Sequence, residues 1–167
     1  SVMSDVTSTG NGLLDILQAV SELSQVDVLV GVPHGENSSE AEMTNAQIGY
    51  LLETGSPAMN LPPRPHLVPG IEEVQDVIGE KLTAAVDAAL SGNSKRMYFL
   101  LESAGMKATM NVKKFINRGE FAELAPLTIR ERKRRGRKSE KPLVDTGQYR
   151  NSHTYIIMKG EKEIKHA

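Results

Sequence analysis

The residues that could do chemistry in this chain are few and lie far apart. Its four histidines stand at positions 34, 66, 153 and 166, and only His34 has a carboxylate close by in sequence, Glu36. No HExxH or similar spacing places two imidazoles on one helix face, so no metal site is expected. The chain has no cysteine, which excludes disulfides, thiolate zinc sites and cysteine nucleophiles. Asp145-Thr146-Gly147 has the look of an acid beside a nucleophile. A turn or helix cap accounts for it better, because Asp and Thr side chains accept backbone N–H bonds and Gly permits a positive φ. Glu53 sits before Thr54-Gly55 at the end of a helical pattern, where it either enters a cleft or faces water. GxSxG, P-loop and GxGxxG patterns are all missing. No catalytic residue, metal or cofactor is assigned, and the chain is not expected to be an enzyme.

Charge is the other chemical resource. Residues 130–138 read RERKRRGRK, with seven Lys or Arg against one Glu. Arg132, Lys133, Arg134, Arg135, Arg137 and Lys138 are candidate contacts to DNA phosphates or to an acidic protein surface. No aromatic residue is interleaved, so base stacking is not suggested. A solvated arm is the alternative. The overall net charge of −1 conceals a division along the chain. Residues 1–129 carry 8 Lys/Arg against 16 Asp/Glu, a net of −8, and residues 130–167 carry 12 against 5, a net of +7. Such asymmetry favours contact between copies or with an anionic partner.

The elements that must hold these groups follow from periodicity. A hydrophobic fraction of 39% supports one domain, but aromatics are 4% and Trp is absent, so aliphatic residues and Met must fill the core. The start SVMSDVTSTGNG has neither the basic nor the apolar region of a secretory signal, and 1–10 is read as a flexible segment. No apolar run is long enough to span a bilayer. Leu13, Leu14, Ile16, Leu17, Val20 and Leu23 predict a helix over 11–24, and Val26–Val32 alternates as a strand. Thr44 and Gln47 have capping-box spacing for a second helix that Gly55 stops. Apolar positions from Ile71 to Ala89 predict a third helix, and those from Tyr98 to Ile116 a fourth, capped by Asn93 or Ser94 and ended by Gly119. Their short connection predicts an antiparallel hairpin. Residues 120–141 read as a basic loop or arm, 142–152 as a turn with a short helix capped by Asp145 or Thr146, and His153–Met158 as a strand. The charged end 161–167 continues a hairpin or frays.

Between the second and third helices lies LPPRPHLVPG, residues 61–70, with four of the chain's eight prolines. Each proline fixes φ and removes a donor, so the stretch should be extended and stiff. It is either a connector packed on its own domain or an arm that reaches a neighbour. Leu61, Pro62, Pro63, Arg64, Pro65, His66, Leu67 and Val68 are the candidate subunit or partner interface.

Three segments carry a resemblance. NAQIGYLLETGS (45–56), LPPRPHLVPGIEE (61–73) and PLVDTGQYRNSHTYII (142–157), in that order, resemble the tail-completion and neck proteins of tailed bacteriophages, also described as minor tail or virion-morphogenesis proteins. His66 stands where the family pattern usually has an aromatic, and the arginine-rich segment before PLVDTG is a second departure. The resemblance implies a structural virion protein that completes the tail and joins it to the head. It would form a homo-oligomeric ring, a hexamer by resemblance, against other neck, connector, tail-terminator or tail-tube proteins, with DNA passing through the lumen. The expected place is the virion, with the host cytoplasm during assembly and no membrane. The expected fold is α+β, one domain over 11–160: a small, mostly antiparallel sheet from Val26–Val32 and the C-terminal strands, covered by the third and fourth helices.

Overall fold

The computed structural model describes residues 12–33, 43–144 and 147–164. The fold is α+β, with seven α-helices and one three-stranded antiparallel sheet among the described residues. The sheet has the order β1 (Val26–Gly31), β2 (Thr154–Lys159), β3 (Lys162–Ile164). In the β1–β2 register Val28 faces Ile157 and Val30 faces Tyr155. Among the described residues the first strand therefore pairs with the final hairpin.

Helix α5 (Ser94–Arg118) is the spine. Asn93 accepts the Arg96 N–H at its start, and Gly119, at φ 68°, ends it in the left-handed region that favours glycine. Its buried face runs through Met97, Leu101, Ala104, Gly105, Ala108 and Val112 to Ile116. A Cβ on Gly105 would lie 2.6 Å from the Tyr155 ring, so the missing side chain is what lets helix and sheet approach. Helix α4 (Gln75–Leu90) packs along α5, as the hairpin predicted, and its Ala85, Ala88 and Ala89 join Met97, Leu101 and Ile157 in the first core. A second core gathers Val112, Ile116 and Leu143, with Leu52, Leu67, Ile71 and Tyr149 against them.

Helix α1 (Gly12–Leu23) forms where its spacing places it, but it buries only Ala19 and leaves Leu13 and Leu14 more than 60% exposed. Helix α2 (Asn45–Thr54) opens with the capping box: Thr44 accepts the Gln47 N–H, and the Gln47 side chain accepts the Thr44 N–H.

Three expectations are corrected. The third predicted helix is two: α3 (Leu67–Glu72), then α4. The end of the proline stretch is thus helical. Pro69 is the third residue of α3, within the first turn, where a backbone N–H would have no intrahelical partner and its loss costs little. The basic stretch is not loop throughout, for α6 (Pro126–Arg134) runs through it. It starts on a proline, which suits a first helical position, and its cations gather at the last turn, where the helix dipole favours them. The short helix α7 (Gln148–Ser152) is present, but Gly147 at φ 80° stands at its N-cap, and Asp145 and Thr146 lie outside the described residues. So do the segment 1–10, His34 and His166. Among the described residues no helix is long and apolar enough to cross a membrane.

Candidate functional site

The structure brings the three segments that carry the resemblance to one place. Gly55, at φ 74° and ψ 174°, ends α2 in a conformation close to glycine's own. A tight loop follows, with a 3₁₀ turn at Pro57–Met59, Asn60 left-handed at φ 52°, and a bridge between Ser56 and Leu61. The loop folds residues 61–66 back over the end of α2, where the Arg64 N–H donates to Leu52 O at 2.6 Å. A Cβ on Gly55 would sit 2.8 Å from Pro63 N and 2.9 Å from Leu61 O. Only a residue without a side chain lets the proline stretch cross so closely.

Glu53 then does what its sequence neighbours could not announce. Its carboxylate accepts the backbone N–H of His66 at 2.9 Å and of Leu67 at 3.1 Å, with Val68 N–H at 3.4 Å. These donors open α3, whose N-cap His66 gives no side-chain cap. A carboxylate from another helix therefore fills that role and adds its negative charge at the positive end of the helix.

His66 is 1% exposed. Its Nδ1 faces two acceptors, Arg64 O at 2.7 Å and Glu53 Oε2 at 3.0 Å, which places the proton on Nδ1. Nε2 then accepts from the Tyr149 hydroxyl at 2.5 Å. Tyr149, on α7, lies close enough to α2 that a Cβ on Gly49 would stand 2.9 Å from its Oη. His153 completes the cluster, with its ring centroid 4.8 Å from Tyr149 and 5.6 Å from His66, both edge-on. His66 also meets Phe121 edge-on. The imidazole thus makes the ring contacts an aromatic would make and adds a hydrogen bond at each nitrogen.

A carboxylate, an imidazole and a hydroxyl in series have the order of an acyl-transfer triad. Burial, and then the Glu53 carboxylate, push the Tyr149 hydroxyl well above the usual tyrosine range, so it stays protonated near neutral pH. What the chain of bonds does is tie α2, the proline stretch and α7 together. Among the described residues no group of three His, Cys, Asp or Glu could hold a metal ion.

The proline stretch divides into inward and outward residues. Arg64 is 4% exposed, with Nε donating to Ala122 O at 2.8 Å and an Nη to Glu123 O at 3.0 Å. Arg64 and His66 are therefore spent within the domain, and Leu67 packs in the second core. Pro62, Pro63, Pro65 and Val68 remain outward. Beside them is an open groove of about 990 Å³ lined by Ile48, Leu52, Pro62, Leu124, Arg132 and Tyr149, among others.

The basic segment divides too. Arg132 turns in and donates to Ser139 O and Lys141 O, fastening α6 to the following turn. Lys133 pairs with Glu140 and Arg134 with Glu131. Arg130, Arg135 and Lys138 are exposed. Sequence reasoning paired His34 with Glu36 and did not find Glu53–His66–Tyr149–His153, because its members lie 13, 83 and 4 positions apart along the chain.

His153 gives the cluster a pH dependence. Burial, then His66, hold its imidazole down to about 4, while hydrogen bonds to Arg150 O and Tyr149 O act the other way. In the unfolded chain the group titrates near 6.5, so between these values the unfolded state binds the extra proton. Stability is then full above about pH 6.5 and falls as pH drops toward 4, by roughly 2–3 kcal/mol. Urea unfolding at a series of pH values should show this slope, and His153→Gln should flatten it.

Compared with protein-family models, with curated proteins and with solved structures, the chain matches none.

Proposed function

We propose that this chain is a structural subunit that completes the tail of a tailed phage at the neck, assembling as a closed homo-oligomeric ring of six. The observation that carries the reading is the convergence of its three resembling segments. Glu53 from the first caps the helix that the second opens, and His66 from the second bonds Tyr149 from the third. Residues that carry the resemblance are thus joined as one fixed structural unit. Its surface suits a subunit. Large apolar side chains such as Leu13, Tyr50, Phe99 and Leu127 are each at least two-thirds exposed and would be covered in part by contact between copies. Unlike patches meeting head to tail close a ring.

The outward residues of the proline stretch give the test. Val68 is 56% exposed, so Val68→Arg should leave the unfolding free energy within about 1 kcal/mol of wild type. It should weaken assembly about tenfold or more, read by sedimentation. A strictly monomeric chain that is also absent from purified virions would sink the reading. A second reading, a DNA-binding accessory protein, draws on the exposed Arg130, Arg135 and Lys138 of the α6 segment. It requires duplex affinity that falls steeply with salt and is lost on neutralising those three, with particle assembly intact.

A further inference from the structure

Helices α4 and α5 pack along one another, and each also turns a second face to solvent. On α5 that face holds Phe99, Met106 and Met110, which are 67%, 51% and 52% exposed. At 100° per residue these positions fall within about 40° of one another. Arg96, Lys107 and Lys114 share a line along one side of them, spaced eleven and seven residues apart. Lys95 and Lys113 stand on the other side, with Glu102 the single acid there. The stripe is therefore apolar with a basic border.

On α4 the outward face holds Asp76, Glu80 and Asp87, also within about 40°. Beside this acidic line run Leu82, Val86 and Leu90, which are 38%, 42% and 43% exposed. The one cation on α4, Lys81, is turned to the Ser103 hydroxyl on α5. This stripe is apolar with an acidic border. None of Asp76, Glu80, Asp87, Arg96, Lys107 and Lys114 makes an ion pair among the described residues.

The two stripes share one spacing. Asp76 and Asp87 are eleven residues apart, as are Arg96 and Lys107, about 16 Å along a helix. Two helices laid together at these faces bring apolar lines into contact and put opposite charges at the rim, where they set register and partner choice.

We infer that the acidic stripe of α4 docks on the basic stripe of α5 in a second copy of this chain. The contact joins unlike patches, so it repeats head to tail. It rests on the self-assembly proposed above and names the surfaces that would carry it. An acidic helix of another protein could meet the α5 stripe, but only a second copy supplies the matching partner and leaves neither stripe uncovered.

Charge reversal tests it by light scattering on the full chain. The triple variant Asp76→Lys, Glu80→Lys, Asp87→Lys should fold as wild type by circular dichroism and weaken self-association 100-fold or more. The triple variant Arg96→Glu, Lys107→Glu, Lys114→Glu should do the same. Mixed in equal amounts, the two should assemble again, because each then offers what the other lacks. Wild-type assembly by both triple variants would overturn the docking and leave the ring reading standing. Loss without recovery in the mixture would also overturn it. A wild-type chain that stays monomeric at every concentration would overturn both.

Discussion

Glu53→Ala is expected to cost about 3 kcal/mol of folding stability, far more than a surface glutamate should. The side chain holds the His66 and Leu67 N–H groups at the start of α3 and faces the buried Nδ1 of His66. Removing it strands backbone donors at a helix start and takes one acceptor from a buried imidazole. Cap losses cost roughly 0.5–2 kcal/mol, and hydrogen bonds to a charged group are worth about 1.5–3. The carboxylate is 21% exposed, so water screens it only in part. Glu53→Gln keeps an acceptor and loses the charge, and it should recover about half of the loss. Chemical denaturation of the three proteins checks this. A Glu53→Ala cost below about 1 kcal/mol would mean that the carboxylate is not holding α3.

Gly55→Ala is expected to be at least as damaging, about 3 kcal/mol or more. Two effects add. The backbone at φ 74° and ψ 174° is costly for any residue with a Cβ, about 1–3 kcal/mol. The added carbon would also press on Pro63 N and Leu61 O, both backbone atoms of a segment stiffened by prolines. Nothing there is the free end of a flexible side chain, so the proline stretch itself must lift. Arg64 and His66 would be drawn from their buried partners. The same denaturation series measures it, and the change in amide exchange should reach Tyr149 on α7. An effect confined to α2 would argue that the stretch is not clamped there.

Much of the fold was legible where the pattern and the packing agree. The 3.6-residue spacing of α5, its Asn93 cap and its Gly119 stop are all local, and all are present. The Thr44–Gln47 capping box is local in the same sense. Helix α6 was missed because it has no buried apolar face; good helix formers and a leading proline carry it instead. Pro69 concealed α3, since a proline in the first turn resembles a break when only its sequence is seen. The cluster was illegible for a different reason. Glu53 and Tyr149 are brought to His66 by the crossing at Gly55 and by the return of the chain to the first strand. Neither event leaves a mark at the spacing of the residues it unites. The proline stretch, which its sequence left either packed on its own domain or reaching out, does both: Arg64, His66 and Leu67 turn inward, and Pro62, Pro63, Pro65 and Val68 outward.

The proposed role requires this domain to assemble with copies of itself in a closed ring. Native mass spectrometry of the full chain over a range of concentrations tests it most directly. A single closed species of six times the 18.2 kDa chain is expected to form as concentration rises. A monomer throughout, or an open series of masses with no preferred multiple, would contradict it.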